Sequence, residues 1–387
     1  MLLDKDDEQI LAGERGETRQ KMLELLVALG KVFGAERLVP IRSAQVSGAS
    51  YKTIGEYGLQ WLNTLDAKAV VPAVLNPIGM PRERWQEMGV SEDFAKKQQA
   101  VVAAYSRLGI GLECTCTPYY LRETSYGDHL AWSESSAVSY ANSVIGAKTN
   151  REGGPGALAA ALIGKTPCYG FHLAEKREPQ VIIRVQSDTR DWTHAHYGAL
   201  GYHTGKLVGN RIPFFCGIVP DNDQLKALGA AMAATGAVAL YHVEGVTPEA
   251  LKIPYDIGGI EAIPVESAEI THLFKEVDVE AVALGCPHCS PAELAHIAGL
   301  LSGKIVTKPL YVFAAQGVID TNKKSVESIE KSGARLFADT CMVVSPVMEQ
   351  YNGIMVNSGK ALAYVPDMCA SPARIGTTEE CVRMATE

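Results

Sequence analysis

The chain has 387 residues, of which 47% are hydrophobic and 21% are charged, and its formal net charge is -8. A chain of this length should bury a large apolar interior and divide into two or three lobes. The acidic balance, with no basic stripe, gives no electrostatic reason to expect a nucleic acid partner. The acidic N-terminus does not resemble a signal peptide and no long apolar run is present. We therefore expect no membrane segment and a cytoplasmic location.

Helix-like and strand-like segments alternate along the chain. Amphipathic or capped stretches predict helices over 18–33, 91–108, 156–163, 224–235 and 291–301. Apolar, β-rich runs lie at 69–76, 110–116, 167–173, 181–186, 214–219, 237–243, 281–286, 308–315, 334–341 and 355–365. This alternation predicts an α/β fold with doubly wound, mainly parallel sheets. We expect three lobes, over residues 1–170, 171–260 and 261–387, with a hinge in the Pro- and Gly-containing stretch at 247–263.

Three cysteines lie where an apolar, strand-like run gives way to a turn: Cys116, Cys286 and Cys341. Ligands in open α/β sheets gather outside the carboxyl ends of the strands, so these thiolates could meet in one crevice. The total of nine cysteines is odd, which fits free thiols or metal ligands better than a disulfide framework. Three thiolates on a four-iron cluster leave one iron open to act as a Lewis acid. The pattern therefore favours an iron–sulfur dehydratase over an electron carrier.

A local motif surrounds the second of these cysteines. In the segment from Cys286 to Glu293, Ser290 and Glu293 form a capping box and Pro291 occupies the first helical position, which predicts a helix start. A helix N-terminus lowers the pKa of nearby thiols. Thiol–disulfide exchange also needs a thiolate, so an oxidoreductase using Cys286-Pro287-His288-Cys289 stays an alternative. A zinc site is a further alternative, with the ligands Cys114, Cys116, Cys286 and Cys289.

Several polar turns are suited to small anions. They are Ser47–Ser50, which precedes Lys52, Asn76-Pro77 and Asn357–Lys360. Backbone N–H groups in such turns can cradle a carboxylate or a phosphate, and a lysine adds a point charge. The segment 125–156 is unusually rich in hydroxyls, amides and opposed charges, which indicates hydrogen bonding to a ligand or to another lobe.

Taken together, these motifs resemble a known family. The stretch GDHLAWSESSAVSYANSVIGAKTNREGGPGAL, with ECTCTPYY before it and LGCPHCSPAEL, DTCMVV and NSGKALAYVP after it, resembles the large subunit of aconitase X. The resemblance covers nearly the whole chain. It implies a multi-lobed, aconitase-like α/β fold around an iron–sulfur crevice, and a hydro-lyase activity.

The resemblance also implies a set of site residues. The three cluster ligands map best to Cys116, Cys286 and Cys341, with Cys114, Cys289 and Cys369 left as substitutes. The cluster is expected to be [4Fe-4S], or [3Fe-4S] after loss of the open iron. Substrate contacts are expected at Gly48, Ala49, Ser50, Asn76, Pro77, Ser136 and Lys360, and Asp128 is a candidate general acid. Lys52 or Lys360 would assist phosphate binding.

Fused members of the family carry an additional small swivelling domain, for which this chain has no room. We therefore expect that domain on a separate small subunit, which in the family supplies a serine as base. Split members look like phosphomevalonate dehydratases, which convert (R)-5-phosphomevalonate to trans-anhydromevalonate 5-phosphate in a modified mevalonate pathway. Other members dehydrate cis-3-hydroxy-L-proline, which is the alternative substrate.

Overall fold

The computed structural model describes residues 1–387, and these form three lobes, each built on its own parallel sheet. The first lobe contains the strands β1 Leu38–Pro40, β2 Ala44–Val46, β3 Ala73–Leu75, β4 Gly111–Cys114, β5 Ala131–Trp132 and β6 Lys165–Pro167. Its helices are α1 Lys5–Leu11, α2 Glu17–Val32, α3 Tyr51–Asn63, α4 Trp85–Met88, α5 Glu92–Arg107, α6 Ser135–Tyr140 and α7 Gly154–Ile163. Its main sheet has the order β4-β3-β2-β5, and β1 pairs with β6 in an antiparallel ribbon. Helix α7 has apolar side chains on all its faces, and its residues from Gly156 to Leu162 are accordingly buried.

The second lobe contains β7 Val181–Val185, β8 Pro213–Cys216, β9 His242–Val243, β10 Ala262–Val265, α8 His194–Val208, α9 Asn222–Gly236, α10 Pro248–Lys252 and α11 Ala268–Thr271. Its parallel sheet has the order β10-β7-β8-β9. Because β10 pairs with β7, a lobe boundary at residue 260, as expected from the sequence, would separate β10 from the sheet to which it belongs. Both the hinge expected at 247–263 and that boundary therefore lie within the second lobe.

The third lobe contains β11 Ala281–Leu284, β12 Leu310–Ala314, β13 Arg335–Ala338, β14 Ile354–Val356, β15 Ala373–Ile375, α12 Pro291–Leu301, α13 Gln316–Thr321, α14 Lys323–Lys331, α15 Gly359–Cys369 and α16 Thr378–Thr386. All its strands are parallel, in the order β13-β12-β11-β14-β15. The capping box at Ser290 is present, with Ser290 Oγ accepting from Glu293 N at 3.1 Å. The α/β fold class with mainly parallel sheets is confirmed.

Short irregular helices complete the chain, as a π-helical turn at Ala141–Ile145 and 3-10 turns at Pro118–Tyr120, Gly170–His172, Ala174–Lys176, Met342–Val344 and Pro346–Gln350. Three strand predictions are wrong in large part. Of residues 237–243 only His242–Val243 form a strand. Residues Gly170–His172 form a 3-10 turn, in which Gly170 has a φ of 53°. Residues 359–365 are helical because Ser358 Oγ accepts from Ala361 N and starts α15. None of the helices has the length and apolar character that crossing a bilayer requires.

A close backbone contact joins the second and third lobes. A Cβ atom at Gly359 would lie 2.1 Å from the carbonyl oxygen of Gly198, and a Cβ atom at Gly198 would lie 2.8 Å from the backbone nitrogen of Gly359. Both positions therefore need glycine, which lets α8 touch the first turn of α15.

A buried ion pair fixes the connection between the first and second lobes. Arg177 lies in the segment between them and its Nε donates to Glu249 Oε1 at 2.7 Å. The same guanidinium donates to the Asn142 side chain at 3.2 Å and to the Asn142 carbonyl at 3.0 Å. Both charged residues are almost fully buried, at 2% and 4% exposure.

Replacing Arg177 with leucine should lower the free energy of unfolding by ~3–5 kcal/mol, because the carboxylate of Glu249 would be left buried without a partner. The matched control is Arg190→Leu, whose pair with Asp188 is exposed, and it should cost less than ~1 kcal/mol. Urea unfolding followed by tryptophan fluorescence measures both. Equal effects of the two substitutions would contradict the prediction.

A candidate active site between two facing sheet edges

A cavity of about 490 Å³ lies between the first and third lobes, and the second lobe contributes no residue to its wall. In each of the two contributing sheets the strand order reverses at one point, between β2 and β5 in the first lobe and between β11 and β14 in the third. Open α/β sheets bind ligands at such a point, outside the carboxyl ends of the strands. The cavity lies where the carboxyl ends of the two sheets face each other.

The first-lobe wall consists of the loops that follow the strands of its sheet. They are Ser47–Ser50 after β2, Asn76-Pro77 after β3, Cys116 after β4, and Ser133–Ser135 after β5. The third-lobe wall is built in the same way. It contains Cys286 and His288 after β11, Cys341 after β13, and Lys360 at the start of α15 after β14.

The structure brings Cys116, Cys286 and Cys341 to the same cavity. The three substitutes that the sequence left open are not in the cavity wall. Cys114 belongs to the apolar core of the first lobe, Cys289 packs with Leu294 and Ile297, and the thiol of Cys369 lies 3.9 Å from the carbonyl of Met342. Because Cys286 and Cys289 lie in separate apolar clusters, the structure gives no support to dithiol exchange between them.

No group of three His, Cys, Asp or Glu side chains lies close enough to hold a single metal ion, so the zinc alternative also finds no support. A group held by the three cavity cysteines would therefore have to be larger than one ion. The set of donors, three thiols from three separate loops around one cavity, fits an iron–sulfur cluster.

Burial dominates the acidity of these thiols, contrary to the lowering expected from a helix N-terminus. It raises the pKa of Cys116 to about 12 and that of Cys286 well above the usual value. The ammonium of Lys360 opposes this rise at Cys116, Cys286 and Cys341. The cavity thus holds a cation that favours the thiolate form of all three cysteines.

The cation itself is paired. Lys360 Nζ donates to Glu134 Oε1 at 2.5 Å and to Ser136 Oγ at 3.1 Å, and Glu134 Oε2 accepts from Asn76 Nδ2 at 2.8 Å. Burial is the largest influence and raises the pKa of Glu134, but the charge and hydrogen bond of Lys360, the charge of Arg151 and the Ser136 N–H together outweigh it, and the net pKa is lowered. The pair therefore stays ionised, as a carboxylate from the first lobe and an ammonium from the third.

Of the substrate contacts expected from the sequence, most line the cavity: Gly48, Ala49, Ser50, Asn76, Pro77 and Lys360. Ser136 lies one step behind the wall, where it contacts Lys360 and Glu134. Asp128 is not in the cavity wall, and its carboxylate accepts instead from Ser125 N at 2.8 Å. Lys52 donates to Glu349 at 2.5 Å and to the Met368 carbonyl at 3.0 Å, so its charge is already partnered.

Some buried polar atoms of the wall have no partner. They are Ser50 Oγ, Asn76 Oδ1 and Ser133 Oγ. Buried polar atoms are normally hydrogen-bonded, and unpaired ones are costly. Their grouping in one cavity indicates a polar ligand that completes their hydrogen bonds.

The sequence did not single out several residues of the wall, among them Glu134, Arg151, Glu152 and His288. Three of these fall within the polar segment 125–156, whose composition was a signal, although it could not rank one residue above another. His288 is 1% exposed, and burial lowers its pKa to about 4, so the ring is neutral. Glu152 is also buried, and its Oε1 accepts from Thr166 Oγ1 at 3.1 Å.

Comparisons with known proteins agree with this architecture. The models of the first, second and third domains of aconitase X match residues 1–175, 179–275 and 279–387. The chain is 52% identical to the phosphomevalonate dehydratase large subunit of Methanosarcina mazei, over 100% of this chain and 97% of that protein. It is 49% identical to the protein of the same name from Methanothermobacter thermautotrophicus, over 96% of this chain and 95% of that protein. The crystal structure of Thermococcus kodakaraensis aconitase X in its holo-form superposes with a TM-score of 0.92, at 44% identity and full coverage of both chains.

The fold and the cavity define a three-domain α/β protein whose candidate active site joins the first and third domains. The chain belongs to the aconitase X family, which confirms the resemblance seen in the sequence.

Glu152→Gln should stabilise the protein in a pH-dependent way. Burial raises the pKa of Glu152 from 4.5 to about 7, so between these pH values the folded chain keeps a proton that the unfolded chain has lost. Stability therefore falls as pH rises through this window, and the full penalty applies above it. At about pH 8 the glutamine variant should be more stable by up to ~3 kcal/mol, with little difference below about pH 4.5.

Urea unfolding at both pH values measures this difference. Glu14→Gln, at an exposed carboxylate, is the matched control and should change neither value. A stabilisation of Glu152→Gln that is the same at both pH values would contradict the assignment.

Proposed function

We propose that this chain is the large subunit of an iron–sulfur hydro-lyase that dehydrates (R)-5-phosphomevalonate to trans-anhydromevalonate 5-phosphate, a step of a modified mevalonate route to isoprenoids. The observation that carries the proposal is the single cavity lined by Cys116, Cys286 and Cys341 beside the Lys360–Glu134 pair. The substrate rests on the relatives at 52% and 49% identity, which are named phosphomevalonate dehydratase large subunits. The reaction is placed in the cytoplasm, which agrees with nine free thiols.

The alternative substrate is cis-3-hydroxy-L-proline. The dehydratase of that name from Pseudomonas aeruginosa is 33% identical to this chain, which covers 70% of its length. The lower identity favours phosphomevalonate. A separate small subunit is part of the proposal, because the close relatives are named as large subunits.

Cys116, Cys286 and Cys341 would hold the cluster, proposed as [4Fe-4S] and as [3Fe-4S] after loss of one iron. When bound, such a cluster supplies a Lewis acid for the departing hydroxyl group through the iron that has no cysteine ligand. The chain's own residues bind and orient the substrate. The ammonium of Lys360 offsets negative charge that develops on the substrate carboxylate.

The phosphate is assigned to the turn Gly48–Ser50, at the N-terminus of helix α3. Ser50 is the N-cap residue of α3, but its Oγ makes no capping bond and is buried without a partner. Backbone N–H groups in such a turn can cradle a phosphate, and the hydroxyl of Ser50 can donate to it. Binding energy from this remote group would position the reacting carbons next to the cysteines. Asp128 is not among the residues of the wall, so no acid is assigned in this chain, and the base is assigned to the small subunit.

The test is to coexpress the chain with its small subunit and purify the complex without oxygen. We expect bound iron and acid-labile sulfide, and dehydration of phosphomevalonate but not of cis-3-hydroxy-L-proline. Cys341→Ser should lose most of the iron and all activity, because a cluster ligand is removed. Cys369→Ser, at a thiol outside the wall, should keep both.

Iron and sulfide analysis together with product detection measures these outcomes. A complex that dehydrated only hydroxyproline would overturn the substrate assignment. A wild-type complex that never held iron, or a Cys341→Ser complex that kept a full cluster, would overturn the proposed site.

Replacement of Lys360 by methionine should lower kcat/KM by ~10²- to 10³-fold, because a preorganised charge in the cavity is lost. Lys324→Met, which removes a lysine from the outer helix α14, is the matched control and should leave kcat/KM unchanged. Steady-state kinetics of the loaded complexes measures the effect. A change of less than twofold at Lys360 would show that its charge does not act on the substrate.

A further inference from the structure

His288 occupies a special place among the three cysteine loops. It belongs to the loop between β11 and α12, two residues after Cys286. The other two loops carry Cys116 after β4, in the first lobe, and Cys341 after β13, in the third. These loops are distant in sequence, so the separation of the three thiols depends on contacts that cross from loop to loop.

The imidazole ring of His288 makes two such contacts. Its Nε2 lies 2.9 Å from the carbonyl oxygen of Thr340, next to Cys341. A carbonyl only accepts, so Nε2 carries the hydrogen and donates it. The ring's Nδ1 lies 3.1 Å from Thr115 Oγ1, next to Cys116. In this tautomer Nδ1 accepts, so the hydroxyl of Thr115 donates to it.

The hydroxyl of Thr115 is itself fixed. Its Oγ1 accepts from Thr117 N at 3.0 Å and lies 3.1 Å from Thr117 Oγ1. Because ring Nδ1 needs a donor, the Thr115 hydrogen points at the ring and Thr117 Oγ1 donates to Thr115 Oγ1. The carbonyl of Thr115 accepts from Gln45 Nε2 at 2.7 Å, so the loop is held from the side of the first sheet as well. Thr115 is fully buried, and no solvent competes for these bonds.

The backbone of His288 adds a contact to a thiol. Its N–H donates to Cys116 Sγ at 3.1 Å. The carbonyl of the same residue accepts from Lys226 Nζ at 3.4 Å, and Ser358 Oγ donates to the carbonyl of Cys286. The Cys286 loop is thereby tied to all three lobes.

We propose that His288 is a positioning residue that sets the separation of the three cysteine thiols and so determines how firmly they retain a cluster. It acts through the residue next to Cys116, the residue next to Cys341 and its own backbone next to Cys286. This inference rests on the proposed function, because it assumes that the cysteines hold a cluster. Outer hydrogen bonds of this kind typically alter metal retention by ~10- to 100-fold.

Two conservative substitutions separate the two ring contacts. In His288→Gln the amide group can still donate to the Thr340 carbonyl but no acceptor faces Thr115. In His288→Asn the amide group reaches Thr115 but not Thr340. Thr115→Val removes the hydroxyl at nearly constant shape, and Thr115→Ser restores it. Thr115 does not line the cavity, so its effect cannot come from lost substrate contact.

The experiment measures iron content, the electron paramagnetic resonance spectrum after one-electron reduction with dithionite and the rate of iron loss to a chelator, all in the complex with its small subunit purified without oxygen. We expect His288→Gln, His288→Asn and Thr115→Val to lose iron at least ~10-fold faster than wild type and to show shifted spectra. Thr115→Ser should behave like wild type. His296→Gln, at an exposed histidine on α12, is the matched control.

Far-ultraviolet circular dichroism of each variant checks that the fold is retained. Variants at both positions that lost iron at the wild-type rate, with unchanged spectra, would overturn the inference while leaving the proposed function intact. Equal iron loss in Thr115→Ser and Thr115→Val would also overturn it, since the hydroxyl would then be irrelevant. A wild-type complex without iron would overturn the proposed function and this inference together.

Discussion

The pairing of Lys360 with Glu134 is the interaction on which the cavity depends. The side chains of Lys360 and Glu134 keep only 6% and 15% of their exposure, and each charge is tolerated because the other lies within hydrogen-bond distance. The pair joins the third domain to the first, so it sets the separation of the two sheet edges as well as the local charge. Asn76 and Ser136 complete its hydrogen bonds. The ammonium of Lys360 also lowers the pKa of the three cavity thiols against the effect of burial.

Features that depend on neighbouring residues could be predicted from the sequence. The strand ends before Cys116, Cys286 and Cys341 and the helix start at Ser290 follow from short apolar runs and from a capping box. The fold class follows from the alternation of such elements. Local patterns do not separate Cys116 from Cys114 or Cys286 from Cys289. The resemblance to aconitase X selected the three cysteines that the structure places in one cavity wall.

Features that depend on distant partners could not be predicted in this way. Glu134 and Lys360 are 226 residues apart, and Thr115 and His288 are 173 apart. Only the order of strands in two sheets decides that these loops meet. The position of Asp128 outside the cavity wall could not be predicted for the same reason, since a polar residue near a cysteine in the sequence can still face a separate turn. The thiol pKa was misjudged because complete burial outweighs the field of a helix N-terminus.

The contact between Gly198 and Gly359 gives the second domain an indirect role. That domain supplies nothing to the cavity wall, yet its helix α8 presses on the backbone one residue before Lys360. A rotation of α8 would therefore shift the ammonium relative to the carboxylate of Glu134. Substitutions in α8 can therefore change the position of Lys360, and with it turnover, without changing any residue of the cavity wall. Selection on the rate of the reaction can in this way act on the second domain as well.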